Sequence, residues 1–177
     1  MERVPFQATA GSVRYQGMSH LPVTVLLDNI RSMYNVGAFF RTADATAVEK
    51  LLLSGITAHP PKRALTKTAL GAEESVAWEF AWDPMPWVEL LRGAGYEIAA
   101  IETAVHAVDL FEWKPVFPVC LIFGHEVDGV RAELSAQCDT IVRIPMLGVK
   151  HSLNVATAGG VVLYELLRKY AAAAAVL

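Results

Sequence analysis

The sequence predicts an α/β fold, namely a mostly parallel sheet with helices on both of its faces. Short apolar runs that suit buried strands alternate with helical segments from about residue 23 to residue 170, and this alternation is typical of parallel sheets. The chain has 177 residues, of which 54% are hydrophobic, which is enough for the core of one domain. No internal repeat or linker is evident, so we expect an N-terminal arm over residues 1–22 and a single domain over residues 23–177.

The first predicted elements are two strands with a helix between them. The run Val-Thr-Val-Leu-Leu at residues 23–27 is typical of a buried strand. Residues 35–45 predict a helix with Phe39 and Phe40 on its inner face. The three leucines at residues 51–53 predict a short second strand.

Shorter elements continue the alternation in the middle of the chain. Residues 62–72 predict a helix, and residues 78–82 predict a weak third strand. Residues 86–92 predict a short helix that ends at Gly93 and Gly95, because glycine readily adopts the conformations that terminate helices.

The predicted sheet is completed by apolar runs in the second half of the chain. Strands are predicted at residues 96–101 and 116–123, a helix at residues 130–137, and a further strand at residues 140–144. Continuous apolar runs of this kind suit strands that are covered on both faces.

The last predicted helix, at residues 154–170, is apolar around most of its circumference, and residues 171–175 extend it. Gly159 and Gly160 lie where a neighbouring backbone could approach closely. A helix of this kind needs burial on all sides, which one sheet does not supply. It is therefore either the central helix of a monomer or a helix covered by a second subunit, and we favour a homodimer.

Composition restricts the partners and the compartment. The net charge is −3, so a nucleic-acid site would have to be a local basic patch. Cys120 and Cys138 lack metal-ligand spacing and the histidines are scattered, so we expect no metal. The N-terminus lacks the apolar core of a signal peptide, and no apolar run reaches the roughly 18 residues of a membrane span. We expect a cytoplasmic protein with no membrane partner.

Polar residues follow the first predicted strand, in residues 28–41. Ligand sites of α/β proteins lie at this end of the strands. Asn35 stands at the start of the predicted helix and could simply cap it. Arg41 lies among apolar residues, where an arginine is costly unless it is paired with an anion. That anion is either a ligand or the carboxylate of Asp28 or Asp44.

A second polar loop contains two glycines, Gly124 and Gly129, and two acids, Glu126 and Asp128. The glycines would let the backbone approach a ligand closely, whereas the acids could simply favour a helix N-terminus. His125 is either a ligand contact or a locally hydrogen-bonded histidine. The loop matches neither dinucleotide-binding nor P-loop patterns, so ordinary NAD or ATP binding is unsupported.

A third segment, residues 144–158, is predicted to run from a strand through a tight polar turn into the last helix. Pro145 and Gly148 interrupt the strand. Ser152 and Asn154 stand at the mouth of the helix, where free backbone N–H groups point outward. Such a mouth can hold an anion.

A basic cluster follows the second strand. Most clusters of this kind are solvated helix faces, but this one could form part of a phosphate-binding surface. The candidate RNA-binding residues are Arg31, Lys62, Arg63, Lys67 and Lys150, with Arg41 beside them.

Taken together, the three polar segments resemble the SpoU/TrmH family of RNA ribose 2′-O-methyltransferases, within the SPOUT class, over residues 23–170. The matching residues of the first motif are Asn35-Val36-Gly37-Ala38 and Arg41; of the second, Gly124, Glu126, Gly129 and Ile144-Pro145-Met146; of the third, Ser152-Leu153-Asn154-Val155 and Ala158. The chain departs from the family at His125-Glu126-Val127, where Asn-Glu-Gly is usual. We also expect no separate RNA-binding domain of the kind that many relatives carry.

This resemblance implies a fold, a cofactor and partners that composition and periodicity do not provide. The fold would be the α/β knot of the SPOUT class, with a deep trefoil knot at the C-terminal end. The methyl donor would be S-adenosylmethionine, held by Gly124, Ile144 and Leu153 with Met146 beside them. The protein would be a homodimer in which both subunits complete each site.

The resemblance also implies catalytic roles for five residues. Arg41 would stabilise the developing alkoxide and bind a phosphate; a role as base is less suitable, because a guanidinium is effectively always protonated. Asn35 would orient Arg41 or the ribose. Ser152 and Asn154 would position the hydroxyl, and Glu126 would hold its loop.

Two other functions remain open alongside the enzyme. A non-catalytic RNA-binding relative would keep the fold, and the altered loop at residues 125–127 favours that alternative. An unrelated nucleotide-binding α/β domain would leave the three motifs as coincidence. For the enzyme, we prefer transfer RNA over ribosomal RNA as substrate, because a compact chain resembles the minimal transfer-RNA members.

Overall fold

The computed structural model describes Met18 and residues 20–174, with the side chain of residue 174 excepted. The strands are β1 (Leu21–Asp28), β2 (Val48–Ser54), β3 (Trp78–Ala81), β4 (Glu97–Ile101), β5 (Val108–Asp109), β6 (Val119–Phe123) and β7 (Thr140–Arg143). The helices are α1 (Met33–Ala45), α2 (Arg63–Ala69), α3 (Ala72–Ser75), α4 (Met85–Gly93), α5 (Ala132–Ser135) and α6 (Val155–Ala174).

The seven strands form one sheet in the order β3-β2-β1-β6-β4-β7-β5, and every strand pair in it is parallel. Val25 in the centre of β1 pairs with Leu51 of β2 on one side and with Leu121 of β6 on the other. Because the strands are parallel, the loops after β1, β4, β6 and β7 all emerge at one edge of the sheet. The predicted polar segments follow three of these strands and therefore meet at that edge.

Helices cover both faces of the sheet, as predicted. Strand residues alternate between the faces, so Leu27 packs with Phe39 of α1 and Val162 of α6 in the larger core cluster. Leu26 faces the opposite way and packs with Val88 of α4 in the smaller one. The predicted mostly parallel α/β architecture is confirmed.

Several predicted boundaries were wrong for local reasons. The helix predicted at residues 62–72 is divided into α2 and α3, because Leu70 and Gly71 have left-handed φ values of 55° and 92°. The strand predicted at residues 116–123 begins only after Pro118, which has no N–H to donate to a sheet. The helix predicted at residues 130–137 is reduced to the four residues of α5, and the two-residue strand β5 was not predicted.

Helix α1 begins two residues earlier than predicted and is capped by a different residue. Ser32 is the N-cap, and its side-chain oxygen accepts a hydrogen bond from the N–H of Asn35 at 3.3 Å. The interpretation of Asn35 as a simple cap is therefore wrong. Its side chain is left available for other partners.

Helix α6 packs closely against α1 but does not bury its whole circumference. A Cβ atom added to Gly159 would lie 2.2 Å from the Phe39 ring, which explains the glycine at that position. Tyr164, by contrast, is 54% exposed, and Thr157 and Arg168 are also exposed. The prediction of burial on all sides fails within one protomer, and the homodimer stays a prediction.

The start of the chain is only partly described. Residues 1–17 and 19 of the predicted N-terminal arm lie outside the described residues. Strand β1 begins at Leu21, two residues before the predicted start of the domain. Among the helices of the described part, none has both the length and the hydropathy needed to cross a lipid bilayer.

Candidate active site

A cavity of about 380 Å³ opens at the edge of the sheet where the polar loops meet, a volume within the usual range for a small-molecule site. All four residues predicted to hold a cofactor, Gly124, Ile144, Met146 and Leu153, line it. Three of the predicted catalytic residues also line it, namely Glu126, Ser152 and Asn154. The structure thus brings the second and third motif segments together around one cavity.

Glu126 joins the second motif segment to the first. Its Oε2 accepts a hydrogen bond from the N–H of Arg31 at 2.9 Å, and its Oε1 accepts from the N–H of Ser32 at 3.1 Å. Oε1 also accepts from Asn35 Nδ2 at 3.0 Å. One carboxylate therefore holds the start of α1, 91 positions earlier in the chain than itself.

Asn35 and Asn154 join the first segment to the third. Asn154 Nδ2 donates to Asn35 Oδ1 at 3.1 Å. The Oδ1 of Asn154 accepts from the N–H groups of Ala156 and Thr157 at 3.0 and 3.3 Å, which caps α6. A continuous hydrogen-bonded chain thus runs from Glu126 through Asn35 to the mouth of the last helix.

These hydrogen bonds change the proton affinity of Glu126. Burial raises its pKa, but the bonds from the backbone N–H groups of Arg31 and Ser32, and from the Asn35 side chain, outweigh burial. The net result is a pKa below the ordinary value for glutamate. The carboxylate is therefore ionised when it forms the network.

Gly124 and Gly129 allow their loop to fold back on itself. His125 and Gly129 exchange two backbone hydrogen bonds, of 3.0 and 2.9 Å, and Gly129 has a φ of 73°. A Cβ atom on Gly124 would lie 2.2 Å from the carbonyl oxygen of Gly129. The loop's own backbone is thus one reason for a glycine at position 124, and the expected approach to a ligand stays a prediction.

The departure at residues 125–127 is accommodated by the loop. His125 Nδ1 lies 3.3 Å from the N–H nitrogen of Val127 and 3.1 Å from that of Asp128, where it accepts hydrogen bonds across the turn. Val127 does not have a positive φ, so a glycine is not required there. The locally hydrogen-bonded interpretation of His125 is confirmed, although the residue also lines the cavity.

Arg41 is not enclosed by the apolar residues beside it in sequence. Its side chain is exposed on α1, and it forms no hydrogen bond or ion pair with any residue of the described ranges. The alternative of a structural salt bridge is wrong, because Asp28 pairs with Arg131 and Asp44 accepts from Ser75. Arg41 does not line the cavity of its own protomer.

Two residues that support the site were not predicted. Arg131 donates to both carboxylate oxygens of the buried Asp28, at 2.7 and 3.1 Å, and so ties the start of α5 to the end of β1. Glu102, at the end of β4, lines the cavity and accepts from the N–H of Val130 at 3.0 Å. The available signal for Glu102 was its position directly after the strand β4, much as Glu126 stands three residues after β6.

The candidate RNA-binding cations are all exposed and lie in two places. Lys150 precedes the cavity-lining His151, and the backbone of Arg31 is bonded to the cavity-lining Glu126. The other three lie at or within α2, and none of them lines the cavity. Within the described part of the chain none of the five side chains has an acidic partner. The same part holds no group of three or more His, Cys, Asp or Glu residues that could bind a metal.

Comparison with known sequences gives the same family as the motifs. The model described as the SpoU rRNA methylase family matches residues 22–164. The chain is 31% identical to the 23S rRNA (guanosine-2′-O-)-methyltransferase RlmB of Vibrio parahaemolyticus, over 86% of this chain and 61% of that protein. It is also 31% identical to the tRNA (guanosine(18)-2′-O)-methyltransferase of Escherichia coli K12, over 83% of this chain and 63% of that protein. The chain spans about three fifths of the length of these curated relatives.

Comparison with solved structures agrees. The AdoMet-bound rRNA methyltransferase from Sinorhizobium meliloti superposes with a TM-score of 0.77 at 30% identity, over 82% of this chain and 56% of that one. The A. aeolicus TrmH/SpoU tRNA modifying enzyme superposes with a TM-score of 0.79 at 28% identity, over 88% of this chain and 78% of that one. The family match covers most of the chain, and its residues include all three motif segments, so this protein belongs to the SpoU methylase family.

Proposed function

We propose that this protein is an S-adenosylmethionine-dependent methyltransferase that methylates a ribose 2′-hydroxyl in RNA. The observation that carries the proposal is the hydrogen-bonded chain Glu126–Asn35–Asn154, which joins the three motif segments at the rim of one cavity. Two relatives that are each 31% identical to this chain are named as 2′-O-methyltransferases, one of ribosomal RNA and one of transfer RNA.

The cavity has the chemistry that the proposed cofactor needs. Ile144 and Met146 supply apolar surface for a flat ring, and Gly124 and Leu153 bring backbone to the wall. A volume of about 380 Å³ accommodates a bent ligand of this size. S-adenosylmethionine would supply an electrophilic methyl group on a sulfonium.

We assign the protein's chemical contribution to alignment and charge. The attacking 2′-hydroxyl would lose its proton to water or to an RNA phosphate as its oxygen bonds to the methyl carbon. The bond from that carbon to the sulfonium sulfur would break, and the donor would leave as a neutral thioether. Arg41 stabilises the negative charge on that oxygen and binds a neighbouring phosphate. Ser152, whose hydroxyl has no hydrogen bond to the described residues, positions the ribose hydroxyl. Asn35, Asn154 and Glu126 hold the two helix starts in place, and most of the acceleration comes from this alignment.

We propose that the active unit is a homodimer. Arg41 does not line its own protomer's cavity, and we propose that a second copy presents it to the substrate there. Tyr34 on α1 and Tyr164 on α6 are 62% and 54% exposed, and they provide apolar surface on the two helices that would form the contact.

The trefoil knot in the chain is also a proposal. We propose that the segment after β7 is threaded through a preceding loop as a trefoil knot, as in the SPOUT class. The family membership supports this, whereas general rules of chain topology would exclude it.

We propose transfer RNA as the substrate in preference to ribosomal RNA, and the cytoplasm as the compartment. This keeps the expectation from the sequence, and relatives named for each RNA match at 31% identity. The unpaired cations Arg31, Lys62, Arg63, Lys67 and Lys150 would bind phosphates. Mapping 2′-O-methyl groups in RNA from cells with and without the gene tests the substrate directly.

The alternative is a non-catalytic RNA-binding relative, which the altered loop at residues 125–127 originally favoured. That argument is weakened, because the loop keeps Glu126 in its network. Calorimetry separates the two functions: binding of S-adenosylmethionine together with methyl transfer to RNA supports the enzyme. RNA binding without cofactor binding supports the alternative.

A further inference from the structure

The side chain of His125 is in contact with two kinds of partner that require opposite protonation states. Its Nδ1 lies 3.3 and 3.1 Å from the backbone nitrogens of Val127 and Asp128. The same Nδ1 lies 3.0 Å from Asp128 Oδ2. An unprotonated ring nitrogen accepts from the two N–H groups, whereas a protonated one cannot accept and donates to the carboxylate instead.

The turn that His125 organises holds the central carboxylate of the site. Glu126 is the next residue, and its carboxylate binds the start of α1 at Arg31, Ser32 and Asn35. Hydrogen bonds hold the two ends of the loop: the backbone groups of His125 and Gly129 bond to each other, and the N–H of Val130 donates to Glu102. Between these points, the N–H groups of Val127 and Asp128 have the His125 ring as their hydrogen-bond acceptor.

We propose that His125 is a positioning residue that holds the Glu126 turn only while its Nδ1 is unprotonated, which makes methyl transfer sensitive to mild acid. This inference rests on the function proposed above. Histidine is the side chain whose charge ordinarily changes between about pH 5 and pH 8. Uptake of a proton would release two backbone N–H groups and draw the ring towards Asp128, and Glu126 would lose its alignment with Asn35.

Other charged groups near the ring determine how the response is tested. Asp128 and Glu126 belong to the same loop, and Arg131 begins α5 beyond it. Glu102 reaches the loop from the end of β4, Arg31 from the β1–α1 loop, and His151 lines the same cavity. Because the pKa of Glu126 is below its ordinary value, that carboxylate stays charged over the range in which histidine titrates.

The test compares the wild type with His125→Asn, His125→Leu and Asp128→Asn, and uses His106→Asn as the matched control. Asparagine keeps an acceptor oxygen that cannot be protonated in this range, and leucine removes the acceptor. His106 is exposed and does not line the cavity. His151 is present in every variant, so differences between the variants are due to the residue that was replaced.

The first readout is structural and does not depend on catalysis. The amide NMR signals of Val127 and Asp128 should shift together between about pH 8 and pH 5.5 in the wild type and the His106 variant. They should stay constant in His125→Asn. In Asp128→Asn the two signals should still shift, because the acceptor nitrogen of His125 is retained. Equal shifts in His125→Asn, or no shift in the wild type, would overturn the proposal.

The second readout connects the ring to the reaction. The ratio of kcat/KM for the wild type to that for His125→Asn should fall about fivefold or more from pH 7.5 to pH 5.5. His125→Leu should be slow at every pH although it remains folded. A constant ratio with a titrating loop would overturn the link to catalysis. Absence of methyl transfer from all proteins would instead contradict the proposed function, and the NMR result would still decide the role of the ring.

Discussion

Asn35 and Asn154, 119 positions apart, are joined by a hydrogen bond of 3.1 Å from Asn154 Nδ2 to Asn35 Oδ1. Each of the two residues also serves the start of its own helix. Asn35 is held by Glu126, and Asn154 caps α6. The bond therefore fixes the two helix starts relative to each other at the rim of the cavity.

A double-mutant cycle on this pair should show coupling. Asn35→Ala and Asn154→Ala should each lower the free energy of unfolding, and the double variant should lose about 1 kcal/mol less than the sum, because their shared bond is counted once. Urea unfolding of the four proteins measures the coupling. Additive losses would mean that the bond contributes nothing to stability.

Replacement of Glu126 should have a pH-dependent effect on stability. A carboxyl group whose pKa is lower in the folded protein stabilises it above the ordinary glutamate pKa. That stabilisation is lost as pH falls through the lowered value. Glu126→Gln should therefore reduce the melting temperature at neutral pH, and the difference from the wild type should shrink below about pH 4.5. Thermal unfolding across pH checks this, with the exposed Glu89 replaced by Gln as the control.

The sequence was sufficient for the sheet and for the meeting of the motif segments. Buried runs such as that of β6 are unambiguous, and parallel strands necessarily bring their following loops to one edge. The family resemblance assigned Glu126, Ser152 and Asn154 to one site, and the parallel sheet gives the physical reason that they line one cavity.

Other features depend on choices that a single sequence leaves open. Ser32 and Asn35 are both good capping residues, and only the geometry shows that Ser32 is the cap. Asp28 had several possible cationic partners, and Arg131, 103 positions away, is the one it contacts. The exposure of Arg41 was missed because the residues beside it in sequence are apolar. Neighbouring residues on a helix point in different directions around its axis, so those residues are directed away from Arg41.

Gly159 and Gly160 are adjacent on α6, but only Gly159 faces α1. Alanine substitutions at the two positions therefore form a matched test of the contact between α6 and α1. Gly159→Ala should cost about 1–3 kcal/mol of stability, because its Cβ would lie 2.2 Å from the Phe39 ring and the core would be overpacked. Gly160→Ala meets nothing within 4 Å in the protomer and should be neutral or slightly stabilising, since alanine favours helix. Chemical denaturation of both variants gives the comparison. Similar losses in both would place the packing constraint elsewhere, for example at a subunit contact over Gly160.

Removal of Arg41 should affect turnover far more than cofactor binding. Arg41→Ala should lower kcat by about a hundredfold or more, because a charge that stabilises the transition state is lost. Its affinity for S-adenosylmethionine should stay close to that of the wild type, since Arg41 does not line the cavity. Arg41→Lys tests whether positive charge alone is sufficient. Unchanged turnover in Arg41→Ala would remove the residue from the mechanism.

A mixture of two inactive variants tests whether Arg41 acts across the dimer. Arg41→Ala and Ser152→Ala each lack one part of the proposed site. If Arg41 of the partner subunit completes the site at Ser152, a mixed dimer has one doubly defective site and one intact site. Unfolding and refolding an equal mixture should then restore about a quarter of wild-type activity, since half of the dimers are mixed and each has one working site. If both residues act within one protomer, every site carries a defect and the mixture stays inactive. The activity of the mixture, with size-exclusion chromatography to confirm assembly, therefore distinguishes a shared site from a self-contained one.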